Sequence, residues 1–244
     1  MSCQKAKSSP GASAAVLAAV GMVVMIGVLI LGGTSRAAEP PVAIPPPATD
    51  IPKAAGQPQT AVLAGGCFWG VQGVFEHLKG VKRVVAGYSG GNRVQARYEI
   101  VGTGQTGHAE SVQITYDPQQ LSYGEILQVF FSVAHDPTQL NRQGPDSGYQ
   151  YRSVIFYDGD EQQKIAQAYI AQLNQAGVFH APIVTRIDHL TGFFAAENYH
   201  QDFLVHNPTN SYIAFNDLPK IQSFQKVLPG LYQPDPVILT AAAH

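Results

Sequence analysis

Cys67 is the residue of this sequence best placed to act as a nucleophile. It follows Gly65-Gly66 and precedes a helical pattern, so its sulfur is expected near the unpaired amides and the positive end of a helix. That environment favours the thiolate, which is the reactive form of cysteine. A lone cysteine is more often an inert core residue, but the stretch Gly66–Gly70 also holds the only tryptophan of the chain. The sequence therefore predicts thiol chemistry at Cys67.

Glu110 is the residue best placed to act as an acid. It shares the parity of Val112, Ile114 and Tyr116 in an alternating strand pattern, which turns its carboxyl toward the apolar side of the strand. Burial raises the pKa of a carboxyl group, so Glu110 is expected to hold a proton that it can donate. The alternative is a carboxylate at the strand end that faces water.

Strand and helix patterns surround these two residues and must position them. The predicted elements, in chain order, are a strand Thr60–Ala64, a helix that includes Val71, Val74, Phe75 and Leu78, a strand Val81–Ala86 before a glycine-rich turn Gly87–Gly91, the strand Glu110–Tyr116, a helix Tyr123–Ala134, a strand Ser153–Tyr157, a helix capped by Asp160 and ending at Asn174, and a strand Ile183–Ile187. Strands and helices mix without steady alternation. This predicts an α+β two-layer sandwich around a mixed or antiparallel sheet, with a ferredoxin-like core.

The N-terminal residues 1–37 read as a targeting element. Lys5 and Lys7 precede an uncharged stretch whose apolar centre runs from Ala14 to Leu31. A run of this length fits either a signal peptide, with cleavage after Ala37, or an uncleaved membrane anchor. In both cases we expect the rest of the chain to be exported, either released into the periplasm or anchored to the membrane and facing the periplasm.

Three segments follow the targeting element. Residues 38–58 are rich in proline, which disfavours helix and sheet and predicts a stiff, extended linker. Residues 59–232 are expected to form the catalytic domain, and residues 233–244 a C-terminal tail.

Composition excludes several classes of function. With 15 basic and 17 acidic side chains, the chain has no electrostatic reason to bind nucleic acid. Its two cysteines, Cys3 and Cys67, lie in regions of different character, so a structural disulfide or a zinc site built on cysteine pairs is not expected. Glu197 and His200 have a spacing that metal ligands use, but no second copy supports them. We expect no metal, no bound cofactor and a monomer.

Ordered blocks of sequence resemble the peptide methionine sulfoxide reductase A family. They are Gly-Cys-Phe-Trp-Gly at 66–70, Gly-His-Ala-Glu at 107–110, Tyr-Asp-Pro at 116–118, His-Asp-Pro at 135–137, Arg-Gln-Gly at 142–144, Gln-Tyr-Arg-Ser at 150–153 and Asn-Tyr-His-Gln-Asp at 198–202. The resemblance covers Val62 to Tyr232. It implies reduction of methionine S-sulfoxide, free or in oxidised proteins, to methionine.

The resemblance also implies roles for individual residues. Catalytic roles fall on Cys67, Glu110, Tyr98 and Tyr151, substrate binding on Phe68, Trp69 and Asp146, and a supporting position on His200. Tyrosine hydroxyls placed around the sulfoxide oxygen would bind it, whereas buried tyrosines are commonly just core aromatics. Phe68 and Trp69 resemble the pocket for the substrate methyl group, with ordinary helix packing as the alternative. Asp146 has a turn-forming role as its alternative.

The reaction implied by the resemblance leaves Cys67 oxidised. Its thiolate attacks the sulfoxide sulfur, Glu110 protonates the oxygen, and Cys67 becomes a sulfenic acid. Many family members reduce this acid with a second cysteine after an Asn-Pro pair. Here the segment Asn207–Ile213 contains none, and no cysteine follows Cys67. The chain therefore resembles the one-cysteine type, and an external thiol such as thioredoxin, glutaredoxin or a small thiol is the expected reductant.

Two other readings stay open at this point. Cys67 with His108 or His135 as base would suit a thiol acyltransferase or peptidase. An envelope adaptor could instead bind hydrophobic peptides through Phe68 and Trp69 without turnover.

Overall fold

The computed structural model describes residues 41–239 of the chain. Its strands and helices, in chain order, are β1 Gln59–Gly65, α1 Phe68–Glu76, β2 Val81–Ser89, α2 Tyr98–Val101, β3 Ala109–Tyr116, α3 Tyr123–Val129, β4 Arg142–Gln143, β5 Asp146–Ser147, β6 Ser153–Tyr157, α4 Asp160–Ala176, β7 Arg186–His189, β8 Phe193–Ala195, α5 Phe203–His206 and α6 Leu218–Val227. Single π-helical turns, Phe130–Ala134 and Ile213–Asp217, continue α3 and precede α6.

Six strands form one mixed sheet in the order β7-β6-β1-β3-β2-β8. Neighbouring strands are antiparallel except β6 and β7, which are parallel and are joined by the crossover helix α4, as a parallel pair requires. The central order β6-β1-β3-β2, together with α1 and α3, is the ferredoxin-like βαββαβ arrangement. The predicted α+β class with a mixed sheet is confirmed.

Both faces of the sheet are covered. Leu63, Val112 and Ile114 belong to the main core with the helices, whereas Val62 and Val154 belong to a smaller cluster on the opposite face. The split follows from the alternation of side chains along a strand. Burial on both faces holds β1 and β3 rigidly, and these strands lead to Cys67 and carry Glu110.

Helix α1 is buried along its whole length. A Cβ atom on Gly70 would lie 2.0 Å from an oxygen of Asp217, and one on Gly73 would lie 2.7 Å from a carbon of Leu204. Glycine is therefore needed where these side chains approach the helix backbone. The close packing fixes the helix that begins immediately after Cys67.

Several predicted element boundaries differ from the observed ones. Strand β2 continues past Ala86 to Ser89, because Ser89 still pairs with both β3 and β8. The last predicted strand, Ile183–Ile187, is shifted to Arg186–His189, because the register along β6 begins with Val154 opposite Arg186.

Asp160 is not the cap of α4, which corrects the sequence prediction. The N-cap residue is Gly159 with φ of 104°, and Asp160 lies in the first helical turn. Its carboxylate still suits the positive end of the helix. The predicted helix Tyr123–Ala134 has its expected extent but changes from α-helix to a π-helical turn after Val129.

The described part of the proline-rich segment, residues 41–58, contains no helix or strand, and its N-terminal residues pack on the domain. We call residues 41–55 the strap. Ile44 is 6% exposed and belongs to the main core, and the hydroxyl of Tyr169 donates a 2.7 Å hydrogen bond to the carbonyl of Pro45. The folded domain therefore already includes Pro41 and does not start near Gln59. Prolines disfavour helix and sheet, but they do not prevent apolar side chains from packing on the domain.

The C-terminal tail also packs as far as Leu239. The backbone N–H groups of Gln233 and Val237 donate to the carbonyls of His77 and Glu76 at the end of α1, at 2.8 and 2.9 Å. The predicted targeting element at 1–37, including Cys3, lies outside the described residues. Among the helices within residues 41–239, none has the length and hydrophobicity needed to span a membrane.

Candidate active site

Cys67 is the N-cap residue of α1, at the end of β1. The preceding Gly66 has φ of 96°, and a Cβ there would lie 2.6 Å from side-chain carbons of Gln143. Glycine alone accommodates both the positive φ and the close approach. The cysteine is 2% exposed. Its position at the start of α1, as the sequence predicts, lets the helix dipole favour its thiolate.

Glu110 lies beside the first turn of α1. It is 1% exposed, and its Oε2 accepts a 3.1 Å hydrogen bond from the backbone N–H of Phe68. Burial raises the pKa of Glu110 well above its ordinary value; the N–H of Phe68 partly opposes this shift, and the charge of Asp146 adds to it. The raised pKa favours the protonated form of Glu110, which is the form that can act as an acid.

An aromatic cluster stands next to these two residues. The ring of Phe68 lies 5.8 Å from Tyr88, 6.4 Å from Tyr98 and 5.1 Å from His200. Trp69 stacks on Phe203 with ring centroids 3.9 Å apart. Apolar faces of this kind suit a methyl or methylene group of a small ligand.

His200 supports the cluster through Trp69. The indole Nε1–H of Trp69 donates a 3.1 Å hydrogen bond to Nδ1 of His200, and the ring of Tyr98 lies 4.2 Å from the imidazole. Burial lowers the pKa of His200 to about 4, against the opposing charge of Glu197. The imidazole is therefore neutral and can accept the indole hydrogen bond at neutral pH, so His200 supports Trp69 from the side of its indole nitrogen.

Tyr151 and Asp146 are each 1% exposed. Asp146 is on β5, and the hydroxyl of Tyr212 donates a hydrogen bond to its Oδ2. The charge of Asp146 contributes to the raised pKa of Glu110. Asp146 thus has a partner across the fold in addition to its place in a turn.

Sequence reasoning did not identify Tyr212 or the true role of Glu197. Oε1 of Glu197 accepts a 3.0 Å hydrogen bond from the backbone N–H of Tyr98, and its Oε2 accepts a 2.9 Å bond from the hydroxyl of Tyr88. These bonds lower the pKa of Glu197 against the effect of its burial. In the sequence, the only feature noted for Glu197 was its metal-ligand spacing from His200, which was set aside and says nothing about Tyr98 or Tyr88.

The two histidines proposed as bases for acyl-transfer chemistry are both engaged elsewhere. His135 has Nδ1 3.1 Å from the carbonyl of Phe130 and Nε2 2.7 Å from Oγ of Ser153, and burial lowers its pKa to about 4. His108 accepts from the N–H of Gly91 at 3.2 Å, and its Nε2 lies 2.9 Å from the carbonyl of Asn92. With both ring nitrogens engaged, neither imidazole is oriented as the base of a Cys-His pair.

The described part of the chain contains no cluster of side chains that could bind a metal ion. Within residues 41–239 no group of three or more histidine, cysteine, aspartate and glutamate residues could hold a metal ion. Glu197 and His200 instead bind Tyr98 and Trp69.

Cys67 also lines a cavity of about 120 Å³. The cavity is bounded by residues of the strap, the π-helical turn after α3, the β4–β5 hairpin and the segment around α6, namely Pro41, Val42, Phe131, Ser132, Val133, Gln143, Gly144, Pro145, Tyr212, Asn216, Lys220 and Ser223 among others. Cys67 therefore borders this cavity, whereas Glu110, Phe68 and Trp69, around the first turn of α1, are not among the residues that line it.

Comparison with known proteins links this site to one family. The family model described as "Peptide methionine sulfoxide reductase" matches residues 59–229. A relative from Mesorhizobium japonicum named peptide methionine sulfoxide reductase MsrA 2 is 59% identical over 79% of this chain and 98% of its own length. One of the same name from Synechocystis is 46% identical over 85% of this chain and 95% of its own length.

Solved structures show the same similarity. Reduced Mxr1 from Saccharomyces cerevisiae superposes with a TM-score of 0.58 at 30% identity, covering 69% of this chain and 96% of Mxr1. Methionine sulfoxide reductase A of Corynebacterium diphtheriae gives a TM-score of 0.54 at 33% identity, covering 70% of this chain and 85% of that protein.

Proposed function

This chain belongs to the peptide methionine sulfoxide reductase family, and we propose that Cys67 carries out its reaction as the nucleophile. As an oxidoreductase of this family, the chain reduces methionine sulfoxide and so repairs oxidised proteins. The observation that carries the proposal is the hydrogen bond from Phe68 N–H to Glu110. This bond holds the carboxyl group of Glu110 beside the backbone amide of Phe68, which follows Cys67. Attack by the Cys67 thiolate and proton donation by Glu110 can therefore both occur at the N-terminus of α1.

The reaction transfers one oxygen atom. The Cys67 thiolate attacks the sulfoxide sulfur while Glu110 donates its proton to the oxygen. The oxygen then passes from the methionine sulfur, which is reduced by two electrons, to the cysteine sulfur, which is oxidised by two electrons. Methionine leaves, and Cys67 remains as a sulfenic acid.

The surrounding residues select and orient the substrate. Phe68 and Trp69 enclose the methyl group, the hydroxyls of Tyr98 and Tyr151 bind the sulfoxide oxygen, and Asp146 orients the substrate through a hydrogen bond. The methyl pocket lies on one side of the substrate sulfur and the oxygen-binding groups lie on the other. Because the sulfur is a stereocentre, this arrangement accepts only one of the two sulfoxide epimers. The family resemblance implies that this is the S epimer of methionine sulfoxide, free or in exposed positions of proteins.

Regeneration of Cys67 needs an external thiol. No cysteine follows Cys67 in the sequence, so a thioredoxin-like, glutaredoxin-like or small thiol attacks the sulfenic acid, releasing water and forming a mixed disulfide. A second thiol then reduces that disulfide. No bound cofactor takes part in this cycle.

We further propose export of the domain to the periplasm, either released or anchored to the membrane. The support is the uncharged stretch Ser8–Ser35 after Lys5 and Lys7 in the sequence.

The decisive experiment measures methionine formed from each separated sulfoxide epimer in the presence of dithiothreitol. The wild-type chain and Cys67→Ser, which keeps the size but not the nucleophile, form the matched pair. We expect product from the S epimer with wild type only. Equal product from Cys67→Ser would exclude the proposed nucleophile, and hydrolysis of thioesters without sulfoxide reduction would favour acyl transfer.

A further inference from the structure

We propose that the strap is part of the substrate site, where Pro41 and Val42 form one wall of a subsite for an apolar side chain next to the oxidised methionine. This inference rests on the proposed function of Cys67 and extends it to the selection of protein substrates.

The N-terminal half of the strap is held firmly against α3, the turn after it and α4. The backbone N–H of Val42 donates a 3.1 Å hydrogen bond to the carbonyl of Ser132, and Nε2 of Gln128 donates a 3.1 Å bond to the carbonyl of Ile44. The side chain of Ile44 is buried in the main core. Val42 is therefore fixed as a wall of the cavity.

The C-terminal half of the strap is held at the start of α3. Asp50 accepts hydrogen bonds from the N–H of Gly124 at 2.7 Å and from the hydroxyl of Ser122 at 2.5 Å. Lys53 pairs with Glu125 at 2.8 Å. Attachment at both ends, with prolines that reduce the freedom of the unfolded segment, makes the strap a built element of the domain.

The cavity beside the strap joins Cys67 to an apolar wall. Pro41 and Val42 line it together with Phe131, Val133 and Phe179. The opposite wall is polar and carries Lys220, which pairs with Asp217 at 3.1 Å, and Asp136, whose carboxylate accepts hydrogen bonds from Thr138 at 2.8 and 2.7 Å. Because these charged groups already have partners within the protein, the apolar wall is the part of the cavity that gains free energy by burying an apolar side chain.

This cavity is distinct from the pocket assigned to the methyl group. Cys67 and Tyr212 line it, whereas Phe68 and Trp69 are not among its described lining residues. A sulfoxide held with its methyl group between those two aromatic residues presents the rest of its peptide away from them. The occupant of the strap-side cavity is therefore a residue adjoining the oxidised methionine in a protein or peptide.

The test compares substrates that differ only beside the methionine sulfoxide. The full chain, wild type and Val42→Asp, is assayed on free S-sulfoxide and on two short peptides with leucine or serine next to it. A carboxylate on the apolar wall should lower kcat/KM for the leucine peptide about 10-fold relative to the serine peptide, and change the rate on free S-sulfoxide less than 2-fold. Val94→Asp is the matched control, since Val94 is 82% exposed and does not line the cavity.

The variant Val42→Ala is a second test, which introduces no charge next to the hydrophobic core. It keeps the backbone bond to Ser132 and should lower the leucine preference about 3-fold. Equal decreases in kcat/KM on all three substrates would contradict the proposed subsite. An unchanged preference for the leucine peptide in both variants would contradict it as well. A wild-type chain that reduces no sulfoxide would instead refute the proposed function, so the two failures are distinguishable.

Discussion

The backbone N–H of Phe68 lies 3.1 Å from Oε2 of Glu110 and donates a hydrogen bond to it. This bond joins the middle of the sheet to the first turn of α1, because Glu110 is on β3 and Phe68 immediately follows Cys67. A carboxyl that is 1% exposed would resist ionisation in any case. The bond also fixes the orientation of the carboxyl group, since it holds the acid at the backbone amide that follows Cys67.

Replacement of Glu110 by glutamine should slow the chemical step about 10² to 10⁴-fold, because the amide keeps the shape but cannot donate the proton. Single-turnover reduction of the S epimer near neutral pH measures this step. In wild type, the rate should also fall at alkaline pH as Glu110 loses its proton, whereas the glutamine variant should lack that loss. Glu99→Gln, on the exposed side of α2, is the control. A wild-type rate in Glu110→Gln would show that another group is the donor.

The enzyme should strongly prefer the S epimer. In the proposed site, Phe68 and Trp69 receive the methyl group and Tyr98 and Tyr151 bind the oxygen, so the site should accept only one hand of the sulfur, which the family resemblance implies is S. Rates on the separated epimers, measured with free methionine sulfoxide and with a short peptide, provide the comparison. Similar kcat/KM values for the two epimers would contradict the assignment of these residues.

Without reductant, the chain should release about one equivalent of methionine and stop, because no cysteine after Cys67 can reduce its sulfenic acid. The form used should start at residue 38, so that Cys3 is absent and the strap remains. Methionine is counted per enzyme, and Cys67 is trapped with a sulfenic-acid reagent and identified by mass spectrometry. Release well above one equivalent, or an unmodified Cys67, argues against this cycle.

Glu197→Gln should lower kcat/KM about 10-fold, because the amide cannot accept both the N–H of Tyr98 and the hydroxyl of Tyr88 without turning its own N–H toward a donor. Glu197 is a positioning residue, so the loss should fall mainly on kcat, where the tyrosine hydroxyl acts on the sulfoxide oxygen. Tyr88→Phe removes only one of the two bonds and should show a smaller loss. Unchanged kinetics in both variants would mean that Tyr98 is held by other contacts.

Glu76 should make the domain less stable as pH rises. Burial, with the neighbouring charge of Asp202, raises the pKa of Glu76 from 4.5 to about 9. Between these values the folded state retains a proton that the unfolded state has lost, so stability is greatest below about pH 4.5 and falls as pH rises toward 9. At pH 7 this effect costs on the order of 3 kcal/mol.

The test is the urea midpoint between pH 5 and pH 8.5 for wild type, Glu76→Gln and the control Glu99→Gln. The slope with pH should be smaller in Glu76→Gln alone, because the amide cannot ionise. Parallel curves for all three proteins would show that Glu76 is not the origin of the dependence.

The sequence by itself determined the features that depend on neighbours along the chain. The Gly65-Gly66 break predicts the strand-to-helix turn that holds Cys67, and the parity of Glu110 with Val112 predicts its burial, because both follow from backbone geometry within a few residues. The mixture of strand and helix patterns indicates the α+β class for the same reason. The absence of a later cysteine, and with it the need for an external thiol, is a property of composition alone.

Only the tertiary structure decided which distant groups meet. The proline pattern predicts that residues 41–55 are extended, but not that Val42 lies beside the cavity of Cys67. Glu197 reaches Tyr98 across 99 positions of the chain, and Tyr212 reaches Asp146 across 66. Hydrogen bonds of this kind leave no periodic signal, because they depend on how the sheet and helices pack and on which buried polar groups then need partners.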